Sequence, residues 1–264
     1  MKLIGLLSWY DEPLAMLELS IADIARTGVT HLVALDGAYA AFPGGNEVSE
    51  NPSAFPGGKP SSHPDQALTI RRTCAKHHVE LLLAAPADVW QDGEPQKRSA
   101  LFDLGYTFNP TPEDWFFVMD ADQTVDRPCD LPSWLASRSG DVVDTLLYEH
   151  DDKRFDDATR RRFVRNLFRC VPGLHVDPSN HWTYKDADGR VLWGMNSVRA
   201  DGMAPLVLHN WSRERTPDRA QARDDYYEKR NTEKLENWVP QHCHECETAW
   251  DFQIATGFNV QRLP

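Results

Sequence analysis

The stretch Asp114-Trp115-Phe116-Phe117-Val118-Met119-Asp120-Ala121-Asp122-Gln123 decides the fold of this chain. Five large apolar residues stand in its centre, and acidic residues flank them on both sides. An uninterrupted apolar run of this length predicts a strand that is buried on both faces, as in a parallel sheet. Such a strand delivers Asp120 and Asp122 at its carboxyl end, where α/β enzymes keep their ligand-binding groups.

The two aspartates have two interpretations. A bend of the chain at Ala121 would turn both carboxylates toward one hard cation or one sugar hydroxyl. Asp is also a common turn residue, so a solvated acidic turn after the strand is the plain alternative. The segments before and after the strand distinguish between them.

Upstream of this strand, apolar runs alternate with helical patterns. The runs at 2–9, 31–35 and 79–84 predict strands, and helices are predicted after Pro13, after Asp65 and from Glu94 to Leu104. The connection from Ala38 to Pro64 has no periodicity, which is typical of a lid or a mobile loop. This order predicts an α/β fold, a mostly parallel sheet with helices on both faces.

Ligands of such a sheet bind at the carboxyl ends of its strands. Aromatic and acidic residues follow the predicted strands there, and they suit a base, a ribose and a metal: Trp9, Tyr10, Asp11, Asp36, Asp88, Trp90, Asp120 and Asp122.

The second half of the chain is less regular. A strand is predicted over Asp141 to Tyr148 and a helix over Asp156 to Arg169. That helix would carry a row of arginines, which is either a solvated face or a contact for phosphates. The segment Leu174 to Leu192 predicts two short strands around an Asp-Gly turn. The apolar run that ends at His209 precedes a helix reaching to about Trp238.

Composition excludes several classes of protein. The 264 residues are 41% hydrophobic and 10% aromatic, which predicts a full globular core. A net charge of −12 opposes non-specific binding to nucleic acid or anionic lipid. The apolar runs are too short for a signal or a membrane span, so we expect a cytoplasmic protein with no membrane partner. The five cysteines are sparse and odd in number, which favours reduced thiols.

The acidic pair and a late histidine together favour a metal site. Two carboxylates and one neutral imidazole make a mixed shell that suits Mn²⁺ or Mg²⁺. His209 is the candidate imidazole, and a core or surface histidine without a ligand is the alternative.

These features together resemble a GT-A fold glycosyltransferase of the family-two type. The resemblance rests on Trp9, Tyr10 and Glu12 after the first strand, Asp36 after the second, Lys97-Arg98 on the helix before the key strand, the Asp120-Ala121-Asp122 motif, and Leu208-His209-Asn210-Trp211-Ser212-Arg213. It covers residues 1 to about 230. An Asp-x-Asp motif alone is a weak signal, whereas one in the fourth strand of this order with a late histidine is moderately specific.

The resemblance implies a Rossmann-like nucleotide-sugar fold and a role for each matching residue. Trp9, Tyr10, Glu12 and Asp36 would line the base and ribose pocket, and Lys97 and Arg98 would lie near the base or diphosphate. Asp120 would contact the ribose and sugar and would also belong to the metal site, in which Asp122 is the direct ligand and His209 the second protein ligand. Arg213 and Arg219 would cover the diphosphate.

Two features depart from the family pattern. Asp36 is followed by Gly-Ala-Tyr rather than a Gly-Ser-x-Asp turn, and the usual Glu-Asp pair for the catalytic base is not evident. The base and the stereochemistry therefore stay open. Catalytic candidates on the hairpin are His181, Asp186 and Asp188, although an Asp-Gly hairpin needs no catalytic reason to exist.

A second constellation lies near the end of the chain. His242, Cys243 and Cys246 match half of a structural zinc site, and the alternative is reduced surface thiols. We predict a GT-A-like domain over 1–240, with a nucleotide-sugar half (1–125) and an acceptor half (126–240). The tail (241–264) would carry the zinc clip.

The sequence therefore predicts a hexosyltransferase-type enzyme that uses Mn²⁺ or Mg²⁺ and a UDP-sugar. Its acceptor is open among a glycan, a protein, a small molecule and a modified DNA base. The alternatives are a sugar-nucleotide nucleotidyltransferase and a non-catalytic metal- or carbohydrate-binding module. The nucleotidyltransferase ranks lower because Ser8-Trp9-Tyr10-Asp11 stands where that class needs a Gly-rich loop.

Overall fold

A computed structural model describes residues 1–39, 61–126, 128–149, 161–178, 180–192 and 200–211. Its strands are β1 (Leu3–Ser8), β2 (His31–Leu35), β3 (Glu80–Ala84), β4 (Trp115–Asp120), β5 (Gln123–Asp126), β6 (Val142–Glu149), β7 (Arg161–Arg169), β8 (His175–Asp177), β9 (Asn180–Lys185) and β10 (Ala200–Asn210). Its helices are α1 (Leu14–Arg26), α2 (Pro64–Lys76), α3 (Gly93–Gly105) and α4 (Leu131–Leu135), with a 3₁₀ turn over Tyr106–Phe108.

Eight of these strands form one sheet in the order β3-β2-β1-β4-β7-β6-β10-β5. The pairs β2–β3, β1–β2, β1–β4 and β6–β10 are parallel. Strand β7 runs antiparallel to β4 and β6, and β5 runs antiparallel to β10. The predicted α/β fold with a mostly parallel sheet is confirmed.

The key strand β4 is buried on both faces, as the apolar run predicts. Trp115, Phe117 and Met119 belong to a core cluster that includes α1 and α2, and Phe116 and Val118 belong to a second cluster that includes α3. Residues two apart on a strand share a face, so the helices cover both sides of the sheet. The predicted helices on both faces are therefore confirmed.

The sheet curls because β4 and β5 are joined by only two residues. Strand β5 pairs with β10 at the far end of the strand order, so the last strand must return to the end of β4. Helix α1 holds this return: the Ser20 hydroxyl donates to the carbonyl oxygens of Ala121 and Gln123, 2.8 and 2.5 Å away. The curl places the Asp120–Asp122 turn beside the end of β10.

The helix predicted over Asp156 to Arg169 is wrong where the structure describes it. Residues Arg161–Arg169 form strand β7 between β4 and β6. The pairing passes from Val143–Leu167 to Asp144–Arg165, which leaves Asn166 as an extra residue. Such a bulge breaks the alternation of period two, and the apolar residues then imitate helical spacing.

The two short strands predicted in 174–192 are present, but the Asp-Gly turn is not the connection between them. Strands β8 and β9 pair antiparallel, and their connection lies at residues 178–179. The Asp-Gly turn follows β9 and brings Val191 into an isolated antiparallel bridge with Lys185.

Candidate functional site

The carboxyl ends of three parallel strands meet at one level of the sheet. Ser8 at the end of β1 is in register with Leu35 at the end of β2 and with Asp120 at the end of β4. Asp36 therefore follows on one side of β1, and the Asp120–Asp122 turn follows on the other. The structure thus brings together the residues that the sequence places after separate strands.

Asp120 is held by an arginine from α3. The Arg98 Nη2 atom lies 3.0 Å from both carboxylate oxygens of Asp120, and its Nε donates to Glu94 Oε1 at 2.7 Å. Burial alone would lower the pKa of Arg98, but Asp120 and Glu94 outweigh it and raise this pKa well above its ordinary value. Arg98 is therefore a fixed cation that orients Asp120.

Asp36 anchors the chain on its return to the sheet. Its carboxylate accepts hydrogen bonds from Gly37 N at 2.7 Å, Ser62 N at 2.7 Å and Ser62 Oγ at 2.6 Å. Ser62, which the sequence analysis did not single out, thereby contributes to this end of the sheet. The predicted contact of Asp36 with a ribose or base stays a prediction.

Lys97 is buried between the ends of β1 and β2. Only 1% of the residue is exposed, and its Nζ donates to Trp9 O at 2.7 Å and Gly37 O at 2.9 Å. Burial lowers its pKa to about 7, against the opposing effect of nearby Asp36 and Asp120. Its amine therefore contacts the backbone that lies beneath the site.

The remaining residues predicted for the base and ribose pocket cluster after β1. Trp9, Tyr10 and Glu12 are all buried, and the Glu12 N–H donates to Gln66 Oε1 on α2 at 3.0 Å. The Trp9 indole Nε1 is buried and has no hydrogen-bond partner among the described residues. A buried indole N–H in this position suits a ligand acceptor, since most such groups are paired.

Asp122 lies in the turn between β4 and β5. It is 5% exposed, and its backbone carbonyl accepts a hydrogen bond from Trp211 N at 2.8 Å. This bond ties the end of β10, and with it the neighbourhood of His209, to the acidic turn. The curl of the sheet thus brings the backbone near His209 close to Asp122, although the two residues are far apart in the sequence.

His209 lies in a column of three aromatic rings. Its ring stacks on Tyr148 with 5.4 Å between centroids and on Trp211 with 6.1 Å. Its Nε2 atom is 3.9 Å from Asp126 Oδ2 on β5. The imidazole is therefore oriented by neighbours on β5, on β6 and directly after β10, and its role as a metal ligand stays a prediction.

Within the described ranges, no three side chains of His, Cys, Asp or Glu gather closely enough to hold a metal ion. Mg²⁺ sites in nucleotide enzymes use one or two carboxylates, with phosphate oxygens and water in the remaining positions. In the structure the Arg98 guanidinium lies 3.0 Å from both carboxylate oxygens of Asp120, and the roles of Asp120 and Asp122 as metal ligands stay predictions.

The three catalytic candidates are spread over β9 and the turn that follows it. His181 lies in β9, and its side chain is outside the described part of the chain. Asp188 is exposed, whereas Asp186 is buried and accepts hydrogen bonds from Asp188 N and from Arg190 N and Nε at 2.8–3.0 Å. Burial works to raise the pKa of Asp186, but these bonds outweigh it and lower the pKa. Asp186 thus organises the turn.

The helix that would carry the predicted arginine row is strand β7, and the side chain of Arg162 is outside the described part of the chain. Arg169 donates to the carbonyl oxygens of Arg138 and Gly140, and its Nε lies 3.2 Å from Asp141 Oδ1. Its guanidinium also packs over Trp115 at 4.7 Å from the ring centroid. Arg169 therefore joins a loop to the core strand.

Tyr184 is a site neighbour that sequence reasoning missed. Its ring packs against Phe168 with 4.3 Å between centroids and edge-on to Phe102 at 6.1 Å. Burial raises the pKa of its hydroxyl, and the charges of Arg98, Glu94 and Asp120 all act on it. No sequence signal identifies it, because its position depends on how β9 packs against α3.

Several predicted residues lie outside the described part of the chain: Arg213, Arg219, His242, Cys243 and Cys246, with the helix to Trp238 and most of the connection from Ala38 to Pro64. Their roles stay predictions. None of the helices in the described ranges has the length and apolar character needed to span a membrane.

Comparison with known proteins gives similarity in structure only. No protein-family model matches the chain, and a search of curated sequences finds no match. Among solved structures, a crystal structure of residues 1–349 of TarS, a GT-A-type glycosyltransferase of S. aureus, has a TM-score of 0.39 and 11% identity over 64% of this chain. A second crystal structure of TarS has a TM-score of 0.37 and 11% identity over 59% of this chain.

This chain covers 47% of the first TarS chain and 23% of the second, so it spans less than half the length of either. At such an identity and TM-score, the likeness carries no argument about the activity of this chain.

Proposed function

We propose that this chain is a glycosyltransferase that takes a sugar from a nucleotide-sugar donor, a UDP-sugar, with the help of Mn²⁺ or Mg²⁺. The proposal depends on one observation: the last residues of β2, β1 and β4, which are Leu35, Ser8 and Asp120, are in register. Asp36 and the Asp120–Asp122 turn therefore lie on either side of β1. A nucleotide laid across this edge has a carboxylate at each end of its ribose and diphosphate.

The chemistry of the transfer requires charge stabilisation. A nucleoside diphosphate leaves with growing negative charge, and fixed cations and donors that meet this charge supply the larger part of catalysis. Asp122, supported by Asp120, would hold the divalent cation, which supplies that stabilisation when bound.

Within this proposal, Arg98 acts through Asp120. It neutralises and orients that carboxylate, so Asp120 presents fixed acceptor positions to the donor while Asp122 serves the cation. His181 and Asp188 are the candidates for the base that activates the acceptor. Asp186 ranks below them because three hydrogen bonds already occupy it.

The test is donor turnover without an acceptor. The protein is incubated with Mn²⁺ and a panel of nucleotide sugars, and release of the nucleoside diphosphate is measured. We expect slow hydrolysis of at least one UDP-sugar and binding of UDP that depends on Mn²⁺. A protein that neither binds nor hydrolyses any donor overturns the enzyme proposal, and cleavage of UTP with a sugar phosphate would instead support a nucleotidyltransferase.

The metal ligand is tested with a matched pair of variants. Asp122→Asn keeps the size of a buried side chain and removes its charge, so turnover with Mn²⁺ should fall by about 100-fold or more. Asp103→Asn, on the exposed side of α3, makes the same chemical change away from the site and should keep wild-type turnover. An unchanged Mn²⁺ affinity in Asp122→Asn shows that the cation binds elsewhere.

A further inference from the structure

Lys97 joins the two strand ends that would wall the nucleotide pocket. Its Nζ lies 2.7 Å from the Trp9 carbonyl oxygen after β1 and 2.9 Å from the Gly37 carbonyl oxygen after β2. The same nitrogen lies 5.5 Å from the centroid of the Tyr39 ring. Trp9 is itself a residue predicted for the base and ribose pocket, and Gly37 directly follows Asp36, which is another.

Burial of Lys97 is unusual for its residue type. Lysine is almost never fully buried unless it is paired, and here it is 1% exposed with two neutral carbonyls as its acceptors. A neutral amine has two N–H groups, which match these two carbonyls. An ammonium has a third N–H, which neither carbonyl takes and which meets only the face of the Tyr39 ring, 5.5 Å from its centroid.

Charged groups from every neighbouring element act on this amine. Asp36 follows β2, Glu12 follows β1 and Asp120 ends β4, and these carboxylates favour the protonated form; Arg98 on α3 opposes it. Burial prevails over the carboxylates and lowers the pKa of Lys97 to about 7. The lowered pKa shifts the amine toward its neutral form at pH 8 in the free protein.

We propose that Lys97 is the positioning residue of the nucleotide pocket: it holds the ends of β1 and β2 at a fixed spacing, and it takes up a proton when a nucleoside diphosphate binds. The proposal rests on the proposed function, since it needs a nucleotide at this edge. The bound diphosphate adds negative charge beside a buried amine, and this charge favours the ammonium form.

The experiment is calorimetric titration of the full chain with UDP and MnCl₂ at pH 8. Each titration is made in two buffers of different ionisation enthalpy, Tris and HEPES, so that the difference in heat counts the protons exchanged. The terminal phosphate of the nucleotide has a pKa of about 6, so it is already ionised at pH 8 and does not contribute to the proton count. We expect wild-type protein to take up a substantial fraction of a proton for each UDP bound.

The variant Lys97→Met keeps the length of the side chain and removes both hydrogen bonds and the proton. It should lose the proton uptake and bind UDP about tenfold more weakly, as expected for two lost hydrogen bonds. The matched control is Lys76→Met at the end of α2, whose side chain is 66% exposed and which should keep both properties. A purely structural role of Lys97 would weaken binding without any change in proton uptake.

The outcomes separate the two proposals. If wild-type protein binds no UDP with or without Mn²⁺, the proposed function fails, and the role of Lys97 fails with it. If wild-type protein binds UDP without proton uptake, or if Lys97→Met takes up the same number of protons, the inference about Lys97 fails and the proposed function stands. Since the first readout uses wild-type protein, it also holds where Lys97→Met does not fold.

Discussion

Two regions of the molecule contain the same kinds of local contact but differ in what those contacts do. At the carboxyl ends of β1, β2 and β4, Arg98 binds Asp120, Asp36 accepts three hydrogen bonds, and Gly37 has a φ of 120°. In the second half, the same three roles belong to Arg169, which pairs with Asp141, to Asp186, and to Gly189 with a φ of 76°.

The difference lies in topology. The first set lies where neighbouring parallel strands end in register, so its charged groups gather at one edge of the sheet. The second set stabilises a loop and a turn: Arg169, opposite Trp115 at the amino end of β4, binds Asp141, and Asp186 binds Arg190. A buried ion pair or a hydrogen-bonded carboxylate therefore does not by itself indicate a binding site. Its position in the sheet decides whether it can belong to one. Matched substitutions in the two regions test this reading.

The largest effect is expected from the two arginines. Arg98→Met leaves Glu94 and Asp120 without their cation and should lower the free energy of unfolding by about 3–5 kcal/mol. It should also abolish UDP binding. Arg169→Met, at a side chain with similar exposure (15% against 13%), should lower stability and leave UDP affinity unchanged in the folded fraction. Urea unfolding and calorimetry measure both, and wild-type UDP affinity in Arg98→Met contradicts the proposed role of Asp120.

The two glycines come next. A Cβ on Gly37 would lie 2.6 Å from Pro86 Cγ and 2.6 Å from Trp90 Nε1, at a φ that only glycine adopts freely. Gly37→Ala should therefore cost about 2–4 kcal/mol of stability from strain and crowding. A Cβ on Gly189 meets nothing within 4 Å, so Gly189→Ala should cost only about 1 kcal/mol. Equal losses in thermal unfolding would show that the close approach at Gly37 is unimportant.

The two bonded carboxylates should differ mainly in function. Asp36→Asn and Asp186→Asn should each lower stability by about 1–3 kcal/mol, because each puts an amide where the protein offers only donors. Only Asp36→Asn should also weaken UDP binding. The pKa of Asp186 is lowered in the folded protein, so its contribution to stability is present at neutral pH and is lost as the pH falls through that pKa. The stability gap between wild type and Asp186→Asn should narrow accordingly in acid.

The smallest effect is the pH dependence that Lys97 gives to stability. Since burial lowers its pKa to about 7, the unfolded chain binds one more proton than the folded chain between that pH and the ordinary pKa of lysine. Stability should rise with pH through this window, by at most about 1.4 kcal/mol per pH unit. Unfolding in urea at pH 7, 8 and 9 measures the slope, and Lys97→Met should have a smaller one. Parallel slopes in the two proteins contradict a neutral buried amine.

Much of the first half of the fold could be predicted from local patterns. The apolar run at 115–119 gave a strand buried on both faces because its length and composition allow little else. The helices over 14–26, 64–76 and 93–105 follow from helical spacing and their start signals. Strand β7 was not predicted because a bulge at Asn166 shifts the alternation of apolar and polar residues. Strand β5 was not predicted because its partner β10 is distant in the sequence.

The sequence by itself determined the order of strands and helices up to β4 and the acidic pair at its end, because both depend on neighbouring residues. Only the tertiary structure decided which polar groups share a site. Lys97 and Arg98 are adjacent on α3, yet one donates to backbone carbonyls and the other binds Asp120. The physical reason is that register and curl bring distant strand ends together, and neither is encoded within a single segment.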